Sequence, residues 1–250
     1  MIKTKFPLVS IITVCFNSEK TIIDTLESVL NQSYRNIEYI IIDGNSKDRT
    51  VDIIKSYEEE FKKKKIIYEW ISEKDNGIYE AMNKGIDKAN GEIIGIINSD
   101  DWYEKNAIED IVKKYNQENF DMIYANLKVI KNEKIYIKKA KLRKIISTRY
   151  WNHPTTFVKA SVYKKNKYEM KTIYDDLDFM LKIRKNKKFK IIILDEIIAN
   201  FRIGGISTKK SFKQVLKDIK IRNEIYKKNG YTPLYYIDNF IIELVKYILC

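Results

Sequence analysis

The sequence predicts an α/β fold: a mostly parallel central sheet with helices on both faces, followed by a helical C-terminal tail. Three observations carry that reading. Within the first hundred residues, short apolar runs alternate with helical stripes in the order β-α-β-α-β-α-β, which builds a parallel sheet. A polar cluster follows each of the four strand signals, at the strand ends where ligands of such sheets bind. Near the C-terminus Leu234, Ile237, Ile241, Leu244, Val245 and Ile248 recur at helical spacing.

The elements follow in order. Residues 8–14 are short, β-branched and apolar, a buried strand. Ser18 is placed to cap a helix carrying Ile22, Ile23, Leu26, Val29 and Leu30 on one face. A second strand over 38–42 ends at the turn Asp43-Gly44-Asn45-Ser46, and Asp48 is placed to cap a helix with Val51, Ile54 and Tyr57 inward. A third strand over 66–70 leads to the turn Asp75-Asn76-Gly77. The helix that follows runs through Tyr79, Met82 and Ile86 and closes at Asn90-Gly91. A fourth strand, 92–97, runs into Asn98-Ser99-Asp100-Asp101. Beyond it, a helix over 105–115 directs Ile108, Ile111, Val112 and Tyr115 inward, and short strands are expected at 122–125, 135–137 and 156–158. A further helix begins near Leu177. The expected division is a unit over 1–205, with halves 1–101 and 102–205, and a helical extension over 206–250.

Composition narrows the class. Of 250 residues, 44% are hydrophobic and 32% charged, which suits a folded domain and not a disordered chain. The 47 basic and 34 acidic residues differ by 47 − 34 = +13, so an anionic partner is expected, without the charge saying which. Cys15 and Cys250 alone exclude a disulfide framework and fit a reducing compartment. The lone His153 excludes any site that needs two histidines. No apolar run approaches the roughly 18 residues of a membrane span, and MIKTKFPLVS lacks a signal-peptide core, so a soluble cytoplasmic protein is expected. The lysine-rich runs at 62–65, 138–143 and 182–190 read as solvated faces.

Two acidic clusters bear chemistry. In Asn98-Ser99-Asp100-Asp101, adjacent carboxylates repel unless a cation holds them, and oxygen-only ligands suit Mg²⁺ or Mn²⁺, which suits a diphosphate. Asp175-Asp176-Leu177-Asp178 offers a carboxylate able to act as general base. Helix capping is the competing reading of both clusters. Trp151-Asn152-His153-Pro154 reads as the lip of a pocket. A dehydrogenase would need G-x-G-x-x-G after the first strand, where Cys15-Phe16-Asn17-Ser18-Glu19-Lys20 stands. A sugar nucleotidyltransferase would need a glycine-rich basic loop there, which is absent. A nucleic-acid-binding protein would explain the +13, but no binding motif supports it and the acidic clusters oppose such a strand.

Taken in order, PLVSIITV with Asn17, LESVLNQSYRNIEYIIIDGNSKDRT, SEKDNGIYEAMNKGIDKANGE, INSDD, NHPTTF, DDLDFMLKI and Phe201-Arg202-Ile203-Gly204-Gly205-Ile206-Ser207 resemble the family 2 glycosyltransferases. These are inverting enzymes of the GT-A fold, a Rossmann-like architecture, that build bacterial surface polysaccharides. Each motif alone is weak; their order and spacing over residues 7–207 are specific. The resemblance implies transfer of a hexose or N-acetylhexosamine from a nucleotide sugar, UDP-linked, to a hydroxyl of a glycan or lipid-linked acceptor. It places Thr13, Asn17 and Asp43 at the nucleoside, with Asp43 accepting from uracil, and Asp75, Gly77 and Asn83 around the nucleotide-sugar pocket. Asn98, Ser99 and Asp100 fall on the metal motif, Asp100 matching its second acid and holding Mn²⁺ or Mg²⁺. Asp176 matches the catalytic base, and Trp151, His153 and Asp175 fall on the acceptor side. Two positions depart from the pattern: Asn98 stands where the metal motif has its first acid, and Asp175 stands where a glutamate precedes the base. An inactive member serving as a scaffold remains the alternative. The tail either packs on the core, pairs with a second copy, or contacts the inner face of the membrane, where Asp238 and Glu243 would be poor neighbours for anionic lipid.

Overall fold

Apolar, β-branched sequence makes the centre of the sheet. In a computed structural model that describes residues 6–131, 134–203 and 211–249, β1 (Val9–Cys15) and β2 (Ile37–Asp43) are buried at every position. That is the state of strands covered on both faces. β3 (Ile67–Ser72) lies outside β2, and β4 (Ile93–Asn98) lies on the other side of β1, all four parallel. The register pairs Cys15 with Asp43, Asp43 with Ser72 and Val14 with Asn98. The polar clusters of four strand ends therefore share one edge of the sheet.

The crossovers are helical: α1 (Ile22–Leu30), α2 (Thr50–Ser56), α3 (Glu58–Lys63) and α4 (Ile78–Lys88). Ser18 does not cap α1 with its side chain. Its carbonyl accepts the Thr21 and Ile22 N–H groups, while its hydroxyl meets Ser99. Ile23, expected inward, is exposed, because the buried stripe of α1 is Ile22, Thr25, Leu26, Val29 and Leu30. Asp48 does accept the backbone N–H of Thr50, at 3.0 Å.

The sheet continues without a break past residue 102. After β5 (Trp102–Tyr103) and α5 (Ala107–Glu118) come β6 (Met122–Lys131), β7 (Lys134–Lys138), a 3₁₀ turn at His153–Thr155, β8 (Phe157–Lys159), α6 (Ala160–Lys165), α7 (Asp175–Lys185) and β9 (Ile191–Arg202). Strand order is β3-β2-β1-β4-β8-β6-β9-β5, with β7 paired to β6. β8 runs antiparallel between β4 and β6, and β9 is parallel to β6. The sequence reading missed β9 because Asp195 and Glu196 interrupt its apolar run. They are exposed and sit where the β6–β9 register shifts, a bulge that lifts two charges out of the ladder. Alternation along each strand feeds two cores: Ile11, Tyr39 and Phe157 join Leu26, Phe61 and Ile111 on one face, while Ile12, Ile40 and Val158 join Met82, Leu181 and Tyr226 on the other.

α8 (Phe212–Lys228) packs against α7, and α9 (Tyr235–Leu249) against α8. Among the described residues no helix is long and apolar enough to cross a membrane. Gly204, Gly205, Ile206 and Ser207 of the last motif, and Cys250, lie outside the described residues.

Candidate active site

The β1 and β2 ends are tied together by their loops. Asn17, at φ 50°, donates its backbone N–H to Ser46 Oγ at 2.8 Å and accepts the Lys47 N–H at the same distance. Ser18 Oγ lies 2.8 Å from Ser99 Oγ, joining this loop to the end of β4. Asp43 is fully buried. Oδ1 accepts from the Ser46 hydroxyl and the Cys15 thiol, and Oδ2 accepts from Ser46 N–H at 3.0 Å and Ser72 Oγ at 2.6 Å. Burial, with the Asp43 charge beside it, pushes the Cys15 thiol far up, so it remains a thiol. Thr13 faces the core, where its hydroxyl accepts from Tyr39 Oη at 3.0 Å. Neither Thr13 nor Asp43 presents its side chain to the open edge.

At the end of β4 the oxygens are differently placed. Asn98 Oδ1 and Asp101 Oδ2 are buried with no hydrogen-bond partner among the described residues. Burial raises the Asp100 carboxyl, opposed by a backbone N–H and by Arg202. Burial raises Asp101 further, and the Asp100 charge adds to it. Asp101 is anchored by the Arg202 N–H on Oδ1, and its carbonyl accepts from Thr25 Oγ1. Orphaned oxygens beside desolvated carboxylates are a donor set that fits a hard divalent cation. Among the described residues no cluster of three or more His, Cys, Asp or Glu could hold a metal alone, so a cation here would draw remaining ligands from a bound diphosphate or water.

The turn before α4 is set by conformation. Gly77 sits at φ 131°, ψ 169°, a region side-chain-bearing residues avoid, and Asp75 Oδ1 accepts its N–H at 2.9 Å. Tyr79, the second residue of α4, donates to Asp176 Oδ1 at 2.9 Å. Both groups of the Asn83 amide clamp the Tyr168 backbone, donating to the carbonyl at 2.9 Å and accepting the N–H at 3.1 Å.

Asp176 lines a cavity of about 530 Å³, together with Trp151, His153, Tyr174, Arg222 and Val245 among others. The sequence reading had Asp176, Trp151 and His153. It missed Lys138, Thr148, Arg149, Arg222 and Ile242, which also line the wall and come from segments carrying no local signal beyond a charge run or an apolar stripe, and it held Phe201 only as the start of the last motif. The three carboxylates of the acidic cluster separate cleanly. Asp175 accepts the Lys171 and Thr172 N–H groups and locks the preceding loop, the corrected role for a residue expected to face the acceptor. Asp178 binds Lys228 Nζ at 2.9 Å and Asn229 Nδ2 at 2.6 Å, on α8 and its C-terminal end. α7 begins at Asp175, two residues earlier than expected. The Trp151 indole N–H donates to Thr156 Oγ1 at 2.9 Å, leaving its ring against His153. Burial lowers the His153 pKa, partly opposed by the Asp176 charge.

The cavity and the strand edge meet at two points. Phe201 lines the cavity while its neighbour Arg202 binds Asp101 and pairs with Asp24. α4 is capped by Gly77, and Tyr79 two residues later carries the hydroxyl that binds Asp176.

Comparison with known proteins bears on the fold and the family. A glycosyltransferase of Methanocaldococcus jannaschii, MJ1057, is 29% identical over 211 residues, covering 79% of this chain and 71% of the relative. Several other curated relatives match over only 33–40% of their own length. Among solved structures, Staphylococcus aureus TarS (residues 1–349) in complex with UDP-GlcNAc superposes with a TM-score of 0.69 at 18% identity, over 96% of this chain and 72% of that one. The mannosyltransferase PcManGT of Pyrobaculum calidifontis, in complex with GDP-Man and Mn²⁺, gives 0.67 at 14% identity, over 98% and 70%. These likenesses establish the GT-A fold. The model of glycosyl transferase family 2 matches residues 10–195, most of the chain, and the protein belongs to that family.

Proposed function

We propose that this glycosyltransferase moves a hexose or N-acetylhexosamine from a UDP-linked donor to a hydroxyl of a glycan or lipid-linked saccharide, with inversion, in surface-polysaccharide assembly. The observation that carries the reading is the placement of Asp176. Of three neighbouring carboxylates it is the one on the cavity wall, and it is joined through Tyr79 to the helix that opens at the nucleotide edge. Asp176 takes the proton of the acceptor hydroxyl as that oxygen attacks the anomeric carbon from the face opposite the nucleotide. Asn98 and Asp100 would hold Mn²⁺ or Mg²⁺, which when bound offsets charge on the departing diphosphate. The mostly apolar cavity, with Trp151 and His153 at its side, receives the acceptor.

The test is a screen of nucleotide sugars against saccharide acceptors, with product stereochemistry read by NMR. Asp176→Asn should lose about 10²–10⁴-fold in transfer while UDP affinity holds. Asp100→Ala should remove the gain in UDP affinity that Mn²⁺ gives. Equal UDP affinity in chelator and in Mn²⁺ would sink the cation assignment, and a chain that neither hydrolyses nor transfers any donor would point to the scaffold alternative.

A second reading concerns location. On α9 the exposed side chains among those described are Ile237, Phe240, Ile241, Val245 and Tyr247, all apolar, with Leu234 just before. Its carboxylates face inward, Asp238 on Arg149 and Glu243 near Arg222. Exposed Lys213, Lys217 and Lys220 of α8 lie on the neighbouring helix. An apolar face beside lysines fits an anionic bilayer surface. Vesicles containing anionic lipid should sediment the protein at low salt and release it at high salt, and Ile237→Lys/Ile241→Lys should abolish this. Concentration-dependent dimerisation with no vesicle binding would assign the face to a second copy.

A further inference from the structure

The nucleobase contact expected at Asp43 is not available there. Both Asp43 oxygens are buried and engaged by Ser46, Ser72 and Cys15, so a base reaching them would have to displace a built network. A different carboxylate occupies the mouth of the β1–β2 edge. Asp75 Oδ1 holds the Gly77 N–H, and Oδ2 accepts no hydrogen bond among the described residues. Asp75 Oδ2 lies 2.9 Å from the point where a Cβ on residue 44 would stand, and Phe16 Cδ2 lies 3.4 Å from that same point. Residue 44 is glycine, so the Asp75 carboxylate closes directly onto its bare backbone, and the Phe16 ring beside it is 58% exposed. One carboxylate oxygen, one bare stretch of backbone and one exposed aromatic ring therefore converge outside the ends of β1 and β2.

Resting on the donor reading above, we propose that Asp75 is the residue that reads the nucleobase. Its Oδ2 accepts a ring N–H flanked by a carbonyl, N3–H of uracil or N1–H of guanine, while the base lies against Phe16 over Gly44. Cytosine and adenine present a lone pair at the corresponding ring nitrogen, which a carboxylate repels. The carboxylate thus selects by attraction and by repulsion together. Gly44 has a physical reason in this arrangement, since any side chain there would push Oδ2 aside.

The experiment measures binding of UDP, GDP, CDP and ADP to the full chain by calorimetry. UDP or GDP should bind about 100-fold more tightly than CDP and ADP. Asp75→Asn, which keeps the shape but offers an N–H beside its oxygen, should shrink that gap to tenfold or less. Gly44→Ala should weaken the preferred nucleotide about tenfold. Asp43→Asn should lower the melting temperature yet keep the ranking. An unchanged ranking in Asp75→Asn, or a lost ranking in a folded Asp43→Asn, overturns the assignment. If wild type binds none of the four, the donor reading itself fails, a result distinct from a preserved ranking in the variant.

Discussion

Asp175, Asp176 and Asp178 share one side chain and differ only in what surrounds it. Asp178 is held between Lys228 and Asn229, so Asp178→Asn keeps the amide contact, loses the ion pair and costs about 0.5–1 kcal/mol. That predicts a melting temperature lower by about 1–4 °C, with transfer preserved, measured on the same preparation. Loss of transfer without loss of stability would instead place Asp178 in the chemistry. His153 supplies a second probe, because the chain has a single histidine and one imidazole resonance set to follow. Burial lowers its pKa below the ordinary 6.5, so the unfolded chain takes up a proton first as pH falls. Stability should therefore decline as pH drops below 6.5 toward the folded pKa, and His153→Gln should flatten that decline. Asp176 acts in the opposite direction, so Asp176→Asn should move the imidazole titration still lower. An upward or absent shift by NMR would separate the two residues. The carboxylate cluster was legible in sequence as a base or a cap. Which acid does which was not, since the partners of Asp178 lie 50 and 51 residues away.

Elements show the same limit. The first four strands were legible because β-branched runs end at polar turns and both sheet faces are covered, whereas β9 hid its continuity behind a charged bulge. The start of α4 was legible through Gly77, whose φ of 131° demands glycine. A Cβ there meets nothing within 4 Å, so Gly77→Ala costs backbone strain alone, about 1–3 kcal/mol, and should lower the melting temperature by several degrees. An unchanged melting temperature would show that the turn relaxes. Tyr79 was read only as an inward apolar position of that helix. Its hydroxyl in fact donates to Asp176 and also reaches the Ile173 carbonyl, at 3.1 Å. Tyr79→Phe removes one donor to the Asp176 carboxylate, the proposed base, and keeps the ring packing on Tyr168. Turnover should fall about tenfold with donor KM unchanged, because the carboxylate loses a hydrogen bond that orients it. Unchanged turnover would reduce Tyr79 to a packing residue.

At the scale of the whole molecule, the sequence separated an enzyme unit from a tail, while the fold uses α8 and α9 to wall the cavity that Asp176 lines. The link is Arg222, 2% exposed within α8. It donates to Thr148 Oγ1 at 2.8 Å and to Asn239 Oδ1 at 3.3 Å, lies 3.6 Å from Glu243, and stacks over Tyr174. Thr148 and Tyr174 are themselves cavity residues, and Tyr174 stands two positions before Asp176. Removing one charge of a buried pair typically costs about 3–5 kcal/mol, because the other charge stays desolvated. Arg222→Met should therefore lower the melting temperature by about 10 °C, and adding Glu243→Met should recover part of that loss. At a temperature where the single variant is still folded, acceptor KM should rise as the Thr148 and Tyr174 wall loosens. UDP affinity should hold, because the β1–β4 edge makes no contact with Arg222 in its hydrogen bonds or ion pairs. A folded Arg222→Met chain that loses UDP and acceptor binding alike would mean that the two ends of the sheet are coupled through the tail.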